Sequence, residues 1–183
     1  MTGSRPGAAR GRAGGRWSGS ASVAVLAATA VVLAALGWLG GLFAAWARQP
    51  ILRIEQLSDA AVLVSAPVRT GDEFSFGWEH SLEKIPWDEF YHVGDCGDLV
   101  LDTIRFPAFG AGIPEAKGDR TWIDDGMIHM GGIGQAFPEI TWLNSVTATK
   151  DLKLNGELIT RGQDLPASAR LRLTIGPRWP GPD

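Results

Sequence analysis

The chain has 183 residues, with 17 basic and 20 acidic side chains, three histidines and one cysteine. The four charges of its first twenty positions are all arginines and every acid lies beyond Ala47, which leaves the remainder with an excess of seven negative charges. An acidic body repels phosphate backbones, so no nucleic acid is expected as partner, and a lone Cys96 excludes an intrachain disulfide scaffold.

Residues 1–20 are rich in Gly, Ala, Ser and Arg. They hold too little apolar surface to fold, and are expected to form a disordered cytoplasmic tail. Ala21 to Ala47 then contains no charged residue. A helix of that length spans about 40 Å, more than the roughly 30 Å hydrocarbon core of a bilayer. Trp17 at one end and Trp38 and Trp46 near the other suit interfacial anchors, and Arg5, Arg10, Arg12 and Arg16 place the N-terminus inside by the positive-inside rule. The rival reading is a cleaved signal peptide ending at Ala45-Trp46-Ala47, but apolar signal cores usually run about 7–15 residues and this one is longer. The expected topology is a single-pass plasma-membrane protein with its C-terminal domain, residues 48–176, outside the cytoplasm. Residues 177–183 are expected to be a flexible tail.

Beyond Pro50 the pattern changes to short runs of period two. Ile51–Ile54 and Ala61–Val64 read as strands. Phe74, Phe76, Trp78 and His80 alternate with Ser75, Gly77, Glu79 and Ser81, the pattern of a half-buried strand. From Ile85 to Val93, one face carries Ile85, Trp87, Glu89, Tyr91 and Val93. Leu99–Phe109 switches parity near Asp102–Ile104, which predicts a bulge. Residues 110–126 read as loop with a short strand at Trp122-Ile123. Further strands are expected at Met127–Met130, Glu139–Leu143, Leu152–Leu154, Glu157–Ile159 and Leu171–Ile175, with Asn155-Gly156 as a hairpin turn. No segment shows sustained helical periodicity. The expected fold is all-β, a small sandwich or open barrel of about nine strands preceded by one transmembrane helix.

Two polar residues interrupt aromatic faces: His80 beside Phe74, Phe76 and Trp78, and Glu89 beside Trp87, Tyr91 and Val93. A hairpin turning at Leu82–Ile85 would pair Trp78 with Glu89 and His80 with Trp87, placing His80 and Glu89 diagonally on one face. They are expected to be near each other and largely buried, with Glu89 ionised and satisfied by His80 or backbone donors. Such a pair serves as structural support, as part of a ligand or metal site, or as an acid/base couple. No cysteine/histidine cluster has zinc spacing, and neither a metal nor a cofactor is expected. Ser81 lies in no nucleophile elbow, and no enzymatic activity is expected. Phe109-Gly110-Ala111-Gly112-Ile113-Pro114 is a glycine loop that opens no visible helix. A tight turn explains it better than a phosphate cradle.

Three pieces in order, Phe76-x-x-x-His80-Ser81-Leu82-Glu83, Pro86-x-x-Glu89 and Phe109-Gly110-Ala111-Gly112-Ile113-Pro114, resemble domain-of-unknown-function family 1850. Its members carry an H-S-x-E-x-x-P-x-x-E stretch followed by G-A-G-[LI]-P. The resemblance spans roughly Ile51 to Ile175, and one departure is Trp87, where a small β-branched residue is common. It implies binding candidates at His80, Ser81, Glu83, Pro86, Glu89, Gly110, Ala111, Gly112 and Pro114. It also implies an association, since such proteins are often encoded beside the solute-binding protein and fused permease of TAXI-type TRAP transporters. The function expected is therefore a membrane-anchored accessory protein whose partner is a transporter's solute-binding protein or permease. The alternatives are a stand-alone small-ligand or metal-binding module and an exported hydrolase.

Overall fold

The computed structural model describes Gly3 and residues 19–178. Apart from Gly3, Gly19 and Ser20, the expected cytoplasmic tail, Trp17 included, lies outside the described residues. The first element, α1 (Gly19–Arg48), is the expected apolar helix with slightly wider bounds. Its segment Val23–Arg48 has a mean hydropathy of 2.2 and is long and apolar enough to cross a membrane. Pro50 ends the helix, because a residue before proline is pushed out of the α region, and strand β1 (Pro50–Gln56) begins at once. The chain divides into two compact units, Met1–Phe43 and Ala44–Asp183.

The second unit is all-β. Among the described residues, eleven strands form two antiparallel sheets, and neither closes into a barrel. One sheet has the order β2-β1-β11-β8 and contains β2 (Val62–Pro67), β8 (Glu139–Leu143) and β11 (Arg170–Pro177) beside β1. The other has the order β10-β9-β3-β4-β5-β7-β6. Its strands are β3 (Glu73–Glu79), β4 (Pro86–Val93), β5 (Leu99–Phe106), β6 (Arg120–Asp124), β7 (Met127–Phe137), β9 (Thr149–Leu154) and β10 (Glu157–Arg161). Alternate residues of the two sheets share one core. Leu52, Ile54, Leu171 and Leu173 come from the first, and Phe74, Phe76, Tyr91, Leu101, Ile104, Met130 and Leu152 from the second. This is a β-sandwich, which bears out the expected fold class, with eleven strands where about nine are legible.

The bulge falls where the parity switch predicts. Tyr91 pairs with Leu101 and Phe90 with Thr103, so Asp102 is the extra residue, and Leu101 and Ile104 both point inward. The turn at Asn155-Gly156 has φ of 50° and 80°, as a type I′ hairpin requires. Two expectations need correcting. Strand β7 runs to Phe137, through Gly131, Gly132 and Gly134, beyond the expected end at Met130. At the C-terminus, β11 continues to Pro177, and Arg178 donates to the Gln49 carbonyl through its backbone and to Gln49 Oε1 through Nη2. The expected flexible tail therefore begins with two held residues, and residues 179–183 lie outside the described part.

Candidate functional site

The β3–β4 hairpin carries most of the candidate residues. Its register pairs Phe76 with Glu89, Trp78 with Trp87 and Glu79 with Pro86. The expected pairing of Trp78 with Glu89 is therefore displaced by two residues. The His80 N–H donates to the Ile85 carbonyl and the Lys84 N–H to the His80 carbonyl, which closes the turn earlier than expected. A shift of two keeps every side chain on its face, so His80 and Glu89 remain on the aromatic side.

They do not form the expected direct pair. Both are half-buried rather than buried. The Glu89 carboxylate accepts from Trp87 Nε1 at 3.2 Å and from the Tyr91 hydroxyl at 2.6 Å. His80 stacks on Trp78 at 5.7 Å and meets Trp87 at 5.8 Å between ring centroids. Trp87 thus stands between the two predicted partners, and Trp87 itself lies flat against Phe106, 5.0 Å away at 9°. Burial first, then the Glu89 charge and the hydrogen bond to it, push the Tyr91 phenol well above its ordinary range. Tyr91 therefore stays a hydrogen-bond donor throughout the physiological range.

The remaining candidates form a clasp between two loops. Glu83 Oε1 accepts from the Ala111 N–H at 2.8 Å. The Glu83 carboxylate fills the place a side chain would take at Gly110, where a Cβ would stand 2.6 Å from Glu83 Cδ. Gly112 has φ of 79°, and a Cβ there would lie 3.6 Å from His80 Cε1. His80 Nδ1 accepts weakly from the Glu83 N–H at 3.4 Å. Ile113 is buried in the core and anchors this loop. The structure therefore brings together His80, Glu83, Gly110, Ala111 and Gly112, the two separated motif pieces. Ser81 is exposed beside them, Pro86 is exposed at the first position of β4, where no N–H is needed, and Pro114 is half-buried.

Next to the clasp, a cleft of about 360 Å³ opens between the two sheets. Phe76, Trp78, Ser81 and Glu89 line it from the hairpin, Thr149 from the adjacent strand β9 of the same sheet, and Trp142 from β8 of the facing sheet. Phe76 and Trp142 touch across the sandwich with ring centroids 5.1 Å apart. Trp142 Nε1 is buried without a hydrogen-bond partner among the described residues. Sequence reasoning missed Trp142 because β8 belongs to the other sheet and no local pattern ties it to Glu89. Tyr91 was detectable: it lies two positions from Glu89 on one face. A larger groove of about 430 Å³ lies on the outer face of the second sheet. Its lining carries four acids and two bases, and both bases are engaged, Arg105 with Asp88 and Lys153 with Asp151.

Among the described residues, no group of three or more His, Cys, Asp or Glu side chains is placed to hold a metal ion. No curated protein and no solved structure shows a significant match to the chain. A family model described as domain of unknown function (DUF1850) matches residues 74–160, a stretch that runs from the first buried phenylalanine of β3 to β10 and includes the clasp and the cleft-lining hairpin. This segment, which holds every motif residue of the site, is what the chain shares with the DUF1850 family model.

Proposed function

We propose that the protein is a membrane-anchored, extracytoplasmic accessory protein of a solute transport system of the TAXI-type TRAP class, acting by binding and not by catalysis. The observation that carries the reading is the convergence of the family's separated motif pieces on one end of a sandwich. The clasp His80–Glu83–Ala111 adjoins a cleft with Glu89 among its lining residues. A single apolar helix precedes this domain and supports anchoring. The arginine tail supports a cytoplasmic N-terminus, and the resemblance to DUF1850 supports the transporter association.

The position of the cleft fits a partner-facing role. Gln49, where the chain joins the sandwich, shares a small pocket with Asp72 and Asn155, which flank the Glu73 end of β3. The clasp and cleft lie at the Glu79 end, about 20 Å away along an extended strand of this length. A hydrolytic role lacks support, since Ser81 makes no hydrogen bond to His80 among the described residues, and His80 Nδ1 is occupied by the Glu83 N–H.

The test is co-purification. The full chain, extracted in mild detergent from cells that express such a transporter, is expected to bring down the solute-binding protein or the permease. Recovery of neither rejects the accessory role. The cleft also favours a second reading, a stand-alone ligand-binding module. That reading holds if the purified chain binds a small molecule while recovering no transporter component.

A further inference from the structure

The Glu89 carboxylate has an unusual set of partners. Both of its donors, Trp87 Nε1 and the Tyr91 hydroxyl, are neutral. Neutral donors satisfy a carboxylate's lone pairs but leave its negative field uncancelled. No described lysine, arginine or histidine pairs with it. The other acid of the cleft, Glu79, is 3.6 Å from Lys150 Nζ and so is partly neutralised. Among the described residues, no basic side chain lines the cleft. Its walls instead include the rings of Phe76, Trp78 and Trp142. Aromatic faces carry negative quadrupoles, so they and the carboxylate attract the same sign of charge.

On the reading of this cleft as a binding site, we infer that its ligand is a small organic ammonium ion, seated against Trp78 and Trp142 with its charge facing Glu89. A volume of about 360 Å³ is at the lower end of the range for small-molecule sites, which suits a compact cation. Weakly hydrated, bulky ammonium groups fit such walls better than metal ions, which need several oxygen ligands in place of rings. The surplus negative charge of the domain raises the local concentration of any cation.

The experiment uses the full chain in detergent, with choline as the cationic probe and 3,3-dimethylbutanol as its neutral isostere. Indole fluorescence and calorimetry report binding. Saturable binding of choline at least tenfold tighter than that of the isostere is expected. Glu89→Gln keeps the length of the side chain and an acceptor for Tyr91, and is expected to lower choline affinity at least tenfold with an unchanged circular dichroism spectrum. Trp78→Leu is a second variant, expected to weaken choline several-fold without affecting Tyr91. Equal affinity for choline and its isostere, no saturable binding, or full affinity in the folded Glu89→Gln protein each overturns the inference. None of these results touches co-purification with a transporter, so the accessory role stands or falls separately.

Discussion

A half-buried carboxylate between aromatic residues raises the question of what keeps it there. Glu89 sits on the inward face of β4 with Phe76 beside it on one neighbouring strand and Ile104 on the other. The arrangement is tolerable because Trp87 and Tyr91, one residue pair away on either side, turn their polar tips toward it. Removing the phenolic hydroxyl leaves one oxygen without that donor, so Tyr91→Phe should cost about 1.5–3 kcal/mol at neutral pH, the range for a hydrogen bond to a charged group. The same contact predicts a pH dependence. Tyr91 is the only tyrosine of the chain, and its folded-state pKa is raised by burial and by Glu89. Its contribution is therefore complete below the ordinary phenol pKa of about 10 and is lost as pH rises beyond it, because only the unfolded chain releases the proton. Urea melts above pH 10 should show the parent losing up to about 1.4 kcal/mol per pH unit more than Tyr91→Phe. Parallel losses in the two proteins would show that the hydroxyl is solvated in the folded state. Parity along β4 made the Glu89–Tyr91 proximity legible in the sequence. The identity of the donors was not, because i and i+2 on a strand are also the spacing of any two core neighbours.

At the scale of elements, faces were easier to read than registers. Period-two alternation assigns a side chain to a face, and a slip of two residues preserves it. The β3–β4 turn shows why the register escaped: Lys84 adopts φ of 55°, a conformation for which Gly or Asn is the usual sign, and the sequence has neither there. Strand β7 escaped for the opposite reason. Its glycines interrupt the period-two pattern that ends at Met130, yet Gly131 is glycine because the Trp122 ring occupies the space, 2.9 Å from where a Cβ would be. The clasp follows the same logic and can be tested as a unit. Glu83→Ala removes the acceptor of the Ala111 N–H, and Gly110→Ala pushes the Glu83 carboxylate off it, so both changes break one contact. Each is expected to cost about 0.5–1 kcal/mol, because the bond is solvent-exposed. The double variant should cost no more than the larger single change, a non-additivity that chemical denaturation of the four proteins resolves. Additive losses would mean that Gly110 is there for its backbone alone.

At the scale of the whole molecule, the two units make opposite demands on solvent. Along the helix, the large apolar side chains from Val23 to Phe43 are all at least 50 % exposed, from 50 % at Leu42 to 70 % at Leu26. That surface is apolar enough for lipid or detergent to cover. In the sandwich, every fully buried apolar residue lies between Ile51 and Leu173. The junction is closed from within the second unit, as Arg178 binds Gln49 and lies 4.8 Å over the Trp46 ring. A fragment of 44–183 therefore keeps the whole core and its closing contact, and needs no disulfide. It is expected to be soluble without detergent and to unfold cooperatively, with a stability within about 1 kcal/mol of the full chain, since changes remote from the core usually stay in that range. The full chain, by contrast, should remain with the membrane fraction after alkaline carbonate washing. A fragment that aggregates or melts without cooperativity would show that the helix completes the domain, while a full chain released by carbonate would show that the apolar segment does not hold it in the bilayer.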